Sequence, residues 1–225
     1  MEHVLDNPAW SALLSGNKNL ALGTDAVKYF DAEVSPFVGF AENNAESFRA
    51  LYDMVPGTSP RGFISPVEMK IPAGWRILAK IKCPQMIFGG KATPTGNANI
   101  IPLTLEHVPP MLALTKLTNP GPFAQRTIEF GHYTGIFAGD QLVAMAGQRM
   151  HAFNYAEISA VCTHPDHLGK GYARQLLLHQ AARIQAAGNV PYLHVRDDNE
   201  RAIKVYEGIG FVTRRHIYFY IIQKQ

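Results

Sequence analysis

The sequence predicts an α/β fold in which helices flank a mixed sheet. Between residues 100 and 222, short apolar runs rich in β-branched residues alternate with stretches whose apolar residues recur every three or four positions. Turn-forming residues separate these segments. The 225 residues are 47% hydrophobic and 17% charged, which suits a folded domain with a sizeable core and excludes a disordered chain.

Each element after residue 100 has its own local signal. Apolar spacing through Met111, Leu114 and Leu117 predicts a helix over 106–117, and 123–130 is a second short helix or turn. Residues 138–141 separate two apolar runs and predict a hairpin. The remaining predictions are a strand at 156–164, a helix ending near Gly188, a strand at 190–195, a helix capped by Asn199 and a strand at 211–222.

The first 96 residues predict a separate N-terminal α/β lobe. Residues 44–55 have a helical pattern, and 61–81 suggest strands joined by proline and glycine turns. The turn-rich segment 88–99 is the candidate boundary. We therefore expect two domains, 1–96 and 97–225.

Composition narrows the classes of partner and compartment. The net charge is only +3 and no block of like charges occurs, so a nucleic-acid-binding arm is not expected. Cys83 and Cys162 are isolated, which predicts free thiols in a reducing, cytoplasmic compartment. No segment approaches the roughly 18 apolar residues of a membrane span, and the N-terminus lacks a signal-peptide pattern. A homodimer remains an open expectation.

A glycine-rich turn precedes the helix that follows the 156–164 strand. Gly169, Gly171 and the small Ala173 would leave backbone amides accessible at a helix start, where anions bind. The spacing matches neither the Walker pattern nor the dinucleotide fingerprint. On its own, this segment is explained equally well by a phosphate site and by a simple tight turn.

Two longer motifs resemble the GNAT acyltransferase superfamily. "AVCTHPDHLGKGYARQLL" is similar to its motif A, and "NERAIKVYEGIGF" is similar to its second signature. "LVAMAGQRM" and "PGPFAQRT" look closest to the glycine N-acyltransferase-like branch. Leu168 departs from the motif, which has glutamine or arginine at that position. The resemblance covers residues 100–222. It does not extend to the N-terminal lobe, for which a degenerate copy of the same fold is an open alternative.

The resemblance implies a GNAT fold with a largely antiparallel sheet, and an N-acetyltransferase that uses acetyl-CoA as co-substrate. The acetyl group would pass directly to a primary amine of a small molecule or peptide in a ternary complex. The strand end would pair with the pantetheine arm, the loop amides would hold the pyrophosphate, and the second signature would also contact pantetheine. The cofactor contacts so implied are Val161, Cys162, Thr163, Gly169, Lys170, Gly171, Tyr172, Ala173, Asn199 and Ala202.

Two residues are candidates for the proton transfers that amide formation needs. An attacking amine must lose its proton, and Glu157 on the preceding strand is the candidate base. The leaving thiolate has a pKa around 8.5, and the resemblance places the Tyr206 hydroxyl near the thioester sulfur. The alternatives are an edge-strand charge for Glu157 and a core tyrosine for Tyr206.

Other chemistries have weaker support. Cys162 with His164 could suggest a nucleophile, but a strand cysteine is usually a small buried hydrophobe. His164, His167 and His179 fit no standard zinc spacing, so no metal is expected. The competing function is a catalytically silent acyl-CoA-binding sensor or partner module. The sequence does not name the acceptor amine.

Overall fold

The computed structural model describes residues 3–225, and the first half of this range supplies two helices and five strands. Helix α1 is preceded by Asn7, whose side chain caps it, and α2 is capped in the same way by Asn44. The elements are α1 (Pro8–Leu14), β1 (Leu22–Gly23), β2 (Val27–Tyr29), β3 (Val38–Phe40), α2 (Ala45–Met54), β4 (Arg61–Ser65) and β5 (Trp75–Phe88).

The second half follows the order expected from the sequence. Its elements are β6 (Ile100–Pro102), α3 (Val108–Thr118), β7 (Thr134–Ala138), β8 (Gln141–Ala152), β9 (Tyr155–Thr163), α4 (Tyr172–Ala186), β10 (Val190–His194), α5 (Glu200–Glu207) and β11 (Phe211–Lys224). The predicted hairpin is confirmed by the pairing of Ala138 with Gln141. The predicted cap is confirmed as well, because the Asn199 side chain accepts from the Ala202 amide at 3.1 Å. Residues 127–130 form a short 3₁₀ turn.

A central eight-stranded sheet has the order β4-β11-β5-β10-β9-β8-β7-β6. Only the β9–β10 pair is parallel, so the expected mixed, largely antiparallel sheet is confirmed. Strands β1 to β3 form a small separate sheet. Helices α4 and α5 pack with one core cluster, whereas α1 and α3 pack with another that includes residues of β8 and β9. None of the described helices is long and apolar enough to cross a membrane.

The sheet is continuous across the predicted boundary at residues 96 and 97. Strand β5 precedes that point, yet it lies between β10 and β11 and pairs with both. The turn-rich segment 88–99, the candidate boundary, is hydrogen-bonded to side chains of α4. The Gln185 side chain bonds the backbone of Gly90 and Ala92, and the Gln175 side chain bonds the Ala98 amide. The N-terminal segment therefore completes the sheet that carries the later motifs.

Strands β9 and β10 separate near the middle of the sheet. Their parallel pairing ends at Tyr192 and Glu157, and β9 continues over 158–163 without a neighbour on that side. A bulge lies in this stretch, and Ala160 there has φ 54°. The open edge of β9 therefore has backbone groups available to a ligand.

Candidate active site

A cavity of about 1240 Å³ lies at the separation of β9 and β10. Its wall includes the end of β9, the loop before α4, the inner side of α5 and parts of β5, β8, β10 and β11. Residues from both core clusters line it, so it connects the two faces of the sheet. Such an opening lets two substrates approach one point from opposite faces.

The loop before α4 has the geometry of an anion site. Gly169 and Gly171 have φ values of 79° and 75°, which other residues rarely adopt. A Cβ at Gly169 would meet nothing within 4 Å, so the space beside the loop is open. The backbone amides of 169–173 make no hydrogen bond to the rest of the described chain. Helix α4 has no acidic residue in its first turn, so its positive end is free to attract phosphate.

The end of β9 also fits an extended, amide-containing ligand. Because β10 has separated, a ligand lying along 158–163 could pair with β9 as an added strand would. Thr163 lines the cavity, although its hydroxyl oxygen is itself buried and has no hydrogen-bond partner in the described chain.

Tyr206 is a half-buried side chain of α5 that lines the same cavity. Its hydroxyl has no hydrogen-bond partner among residues 3–225. Burial raises its pKa to about 12. The hydroxyl therefore keeps its proton at any physiological pH and can act as a donor.

Glu157 is fully enclosed by protein groups. It is 1% exposed, and Arg149 donates to both of its oxygens, from Nε at 2.8 Å and from Nη2 at 2.7 Å. His194 Nδ1 lies 2.7 Å from Oε1. Burial alone would raise the pKa of this carboxyl, but Arg149 and His194 hold it well below its ordinary value. The carboxylate stays ionised and is a weak proton acceptor.

His194 lines the cavity, but both of its ring nitrogens are bonded. Nδ1 contacts Glu157, and Nε2 lies 2.9 Å from Gln85 Nε2. The Gln85 amide orientation is fixed, because its Oε1 accepts from Arg214 and its Nε2 also donates to the Leu5 carbonyl. His194 Nε2 must then accept from Gln85, which assigns a neutral ring with its proton on Nδ1.

Comparisons with known proteins agree with this geometry. The family model for FR47-like proteins matches residues 133–220. A crystal structure from Novosphingobium aromaticivorans DSM 12444, assigned to the GNAT family of acetyltransferases, is 32% identical with a TM-score of 0.93, and the alignment covers 100% of both chains. This chain belongs to the GNAT family. The GNAT fold that the sequence predicted is thereby confirmed.

Two further comparisons place this GNAT chain beside other N-acetyltransferases. N-alpha-acetyltransferase RimI of Mycobacterium tuberculosis is 37% identical over 84 residues, which are 36% of this chain and 51% of RimI. The chain thus matches about half the length of that curated relative. A GCN5-related N-acetyltransferase from Kribbella flavida shares the fold, with a TM-score of 0.62 and 15% identity over 95% of this chain and 93% of the other. The glycine N-acyltransferase-like branch stays a prediction.

The GNAT structure brings most of the predicted site residues to one cavity. Those that line it are Val161, Cys162, Thr163, Gly169, Gly171, Tyr172, Ala173, Asn199, Ala202 and Tyr206. Two predicted residues lie elsewhere. Lys170 is exposed, and its ammonium contacts His167 Nδ1 at 3.2 Å. Glu157 lies behind Arg149 and His194 and is not part of the wall. The catalytic and binding roles stay predictions.

Sequence reasoning missed Arg149 and His194, which line the cavity in front of Glu157. Both lie in largely apolar strands, "LVAMAGQRM" and "VPYLHV". A charged or titratable residue in such a strand signals a buried polar contact, because an unpaired charge there would be costly. That signal could have identified them as members of the site.

The two cysteines of this GNAT chain are free, buried and next to the cavity. Burial raises the pKa of Cys83 to about 12 and that of Cys162 to about 11. Both thiols therefore stay protonated near neutral pH. A protonated thiol is a poor nucleophile, so the geometry does not favour a covalent cysteine mechanism.

Proposed function

We propose that this protein transfers an acetyl group from acetyl-CoA to a primary amine by direct attack in a ternary complex. The observation that carries the proposal is one cavity that combines the open β9 edge, the unbonded loop amides and the unpartnered Tyr206 hydroxyl. Acetyl-CoA would supply the thioester that the amine attacks. Because the cavity reaches both faces of the sheet, the amine can enter opposite the CoA arm.

The binding roles follow from the groups that the cavity offers. The amides from Gly169 to Ala173 would hold the pyrophosphate at the start of α4. Residues 161–163 would pair through their backbone with the amide-containing pantetheine arm. Asn199 uses its side-chain oxygen to cap α5, so its amide nitrogen remains to donate to the same arm.

Tyr206 would give its proton to the departing thiolate. A raised tyrosine pKa weakens the acid, but the thiolate forms in the same poorly solvated place and gains basicity for the same reason. The sequence predicted Glu157 as the base, but its carboxylate is enclosed by Arg149 and His194 and is a weak proton acceptor. The contacts of its carboxylate favour a supporting role in which it orients Arg149 and His194. A neutral amine, or one that passes its proton to water, would then be the attacking species.

Residues of the N-terminal segment line one side of the cavity, away from the loop before α4. Pro36, Phe37 and Pro60 line the cavity together with Ile81 and Cys83 of β5. We propose that this segment forms the acceptor wall. RimI is named as an N-alpha-acetyltransferase, which favours an α-amine of a small molecule or peptide as acceptor. A cytoplasmic location and a homodimer stay predictions.

A panel of primary amines with acetyl-CoA tests the proposal. Release of free CoA thiol is measured together with the mass of the acetylated product, and both should depend on enzyme and amine. Binding of acetyl-CoA by calorimetry without thiol release from any amine would favour the competing function, a silent acyl-CoA sensor. Absence of both binding and turnover would reject the two functions together.

A further inference from the structure

The acceptor side of the cavity contains one buried side chain with an unused hydrogen-bond donor. Arg149 is 8% exposed, and its Nε and Nη2 are taken by Glu157. Its remaining nitrogen, Nη1, has no acceptor in the part of the chain that the structure describes. The side chain lines the cavity, so Nη1 is the group that a bound molecule can reach. A guanidinium donor in such a place is expected to find an acceptor oxygen.

Arg149 is held too firmly to swing away from the cavity. The paired bonds to Glu157 fix the plane of the guanidinium, and its carbon lies 4.8 Å from the centre of the Phe37 ring. Burial alone would lower the pKa of Arg149, but Glu157 raises it above its ordinary value. The donor therefore remains charged and in one position, as a specificity group requires.

The cavity wall on the side of Arg149 away from Glu157 is apolar. Phe37 contacts Phe219 at 5.6 Å between ring centres, and Ile221 lies beside Phe37. Pro60 and Ile81 continue this wall. An acceptor in this part of the cavity would place an apolar group against these side chains and an oxygen against Arg149.

The charges around the cavity disfavour polycationic acceptors. No carboxylate of the described chain lines it, and its charged residues are Arg149, Arg174, Arg196, Arg201 and Lys204. Of these, Arg149 and Arg196 are paired with Glu157 and Asp198, neither of which lines the cavity. A polyamine brings several ammonium groups, and each would need a carboxylate to offset the cost of leaving water. A carbonyl or carboxylate oxygen next to the amine would instead interact favourably with the cationic side chains.

We propose that Arg149 is a specificity-determining residue that recognises the carbonyl or carboxylate oxygen of an α-amino acid unit with an apolar side chain. The inference rests on the proposed acetyltransfer. A free amino acid and a peptide N-terminus both contain this unit, and the Arg149 donor serves either. The Arg149–Glu157 pair is formally neutral, so the donor matters more than net charge.

The test compares matched acceptors that differ in the oxygen. L-phenylalanine, L-phenylalaninamide, the dipeptide phenylalanyl-alanine and 2-phenylethylamine share the same aromatic side chain. kcat/KM is expressed per neutral amine, because the four amines differ in pKa. We expect kcat/KM for 2-phenylethylamine to be about 10- to 100-fold lower, because it lacks the oxygen that forms one hydrogen bond to a charged group. The first three compounds separate the free amino acid from the peptide source.

The Arg149→Lys variant keeps a positive charge beside Glu157 but lacks the Nη1 fork. In this variant, the ratio of kcat/KM for the oxygen-containing acceptors to kcat/KM for 2-phenylethylamine should fall close to 1. Arg61→Lys is the matched control, because Arg61 is also buried and bonds the Phe30 carbonyl without lining the cavity. Its preference should match wild type. A ratio within one variant does not depend on how much of that variant folds.

Each outcome decides the inference. Equal wild-type rates for 2-phenylethylamine and the amide overturn it, even if Arg149→Lys cannot be purified. A preference that survives in Arg149→Lys also overturns it. These failures leave acetyltransfer intact, since the amines are still acetylated. Absence of acetylation of every amine instead rejects the proposed function and this inference with it.

Discussion

The Tyr206→Phe substitution removes the group that we propose as the acid. The hydroxyl has no partner in the described chain, so its loss leaves no buried donor or acceptor unbonded. The ring remains and keeps its contact with Phe211, whose centre lies 6.1 Å away. We therefore expect a change in unfolding free energy within about 0.5 kcal/mol.

The catalytic effect should be much larger than the effect on stability. Positioned proton transfer contributes roughly 10²- to 10⁴-fold to rate. Taking the lower end, kcat should fall about 100-fold, which corresponds to a barrier higher by about 2.7 kcal/mol. Because the proton moves only as the thiolate leaves, acetyl-CoA affinity should be nearly unchanged.

Steady-state thiol release, calorimetry and a thermal melt measure the three quantities. Tyr220→Phe is the matched control, because the Tyr220 hydroxyl is buried and accepts from the Met69 amide at 2.8 Å. That variant should lose about 1 kcal/mol of stability and keep its kcat. Normal kcat in Tyr206→Phe would refute the acid role and return Tyr206 to a packing role.

Three further predictions concern the loop, the buried ion pair and pH. Gly171→Glu should abolish CoA binding measured by calorimetry, because a side chain and a negative charge enter the loop site. The control Gly139→Glu, also at positive φ but in a distant turn, should bind CoA normally. Unchanged CoA affinity in Gly171→Glu rejects the loop site. Glu157→Gln should cost about 3 kcal/mol by leaving Arg149 without its counter-charge, and an unshifted melting temperature contradicts this. kcat/KM should rise with pH as the acceptor amine deprotonates. It should not fall again below about pH 11, because the raised pKa of Tyr206, about 12, means that the hydroxyl keeps its proton. A fall in kcat/KM near about pH 9 would oppose Tyr206 as the acid.

Local sequence signals predicted the elements that depend on local chemistry. The cap at Asn199, the hairpin at 138–141 and the glycine loop before α4 follow from residues within a few positions of one another. The segments around the glycine loop and Asn199 also led to the family and to ten of the residues that line the cavity. Each needs only short-range geometry, so the order of residues along the chain is sufficient.

The environment of Glu157 could not be predicted in this way. Its position on a strand made it a candidate base, but its contacts come from Arg149 on β8 and His194 on β10. Strand pairing sets those contacts, and neither partner is near Glu157 in a pattern that propensity detects. These partners then decide the protonation state of the carboxyl, because they lower its pKa more than burial raises it.

By itself, the sequence determined the fold class, the helix and strand order of the second half and the loop that suits an anion. The tertiary structure alone decided that β5 lies between β10 and β11, across the expected domain boundary. It also placed Phe37 against Arg149, far apart in the chain. Long-range strand pairing depends on the fit of whole faces, and many registers satisfy the same alternation of residues. The apolar wall that we propose for the acceptor, and the free Arg149 donor beside it, are therefore properties of the folded chain.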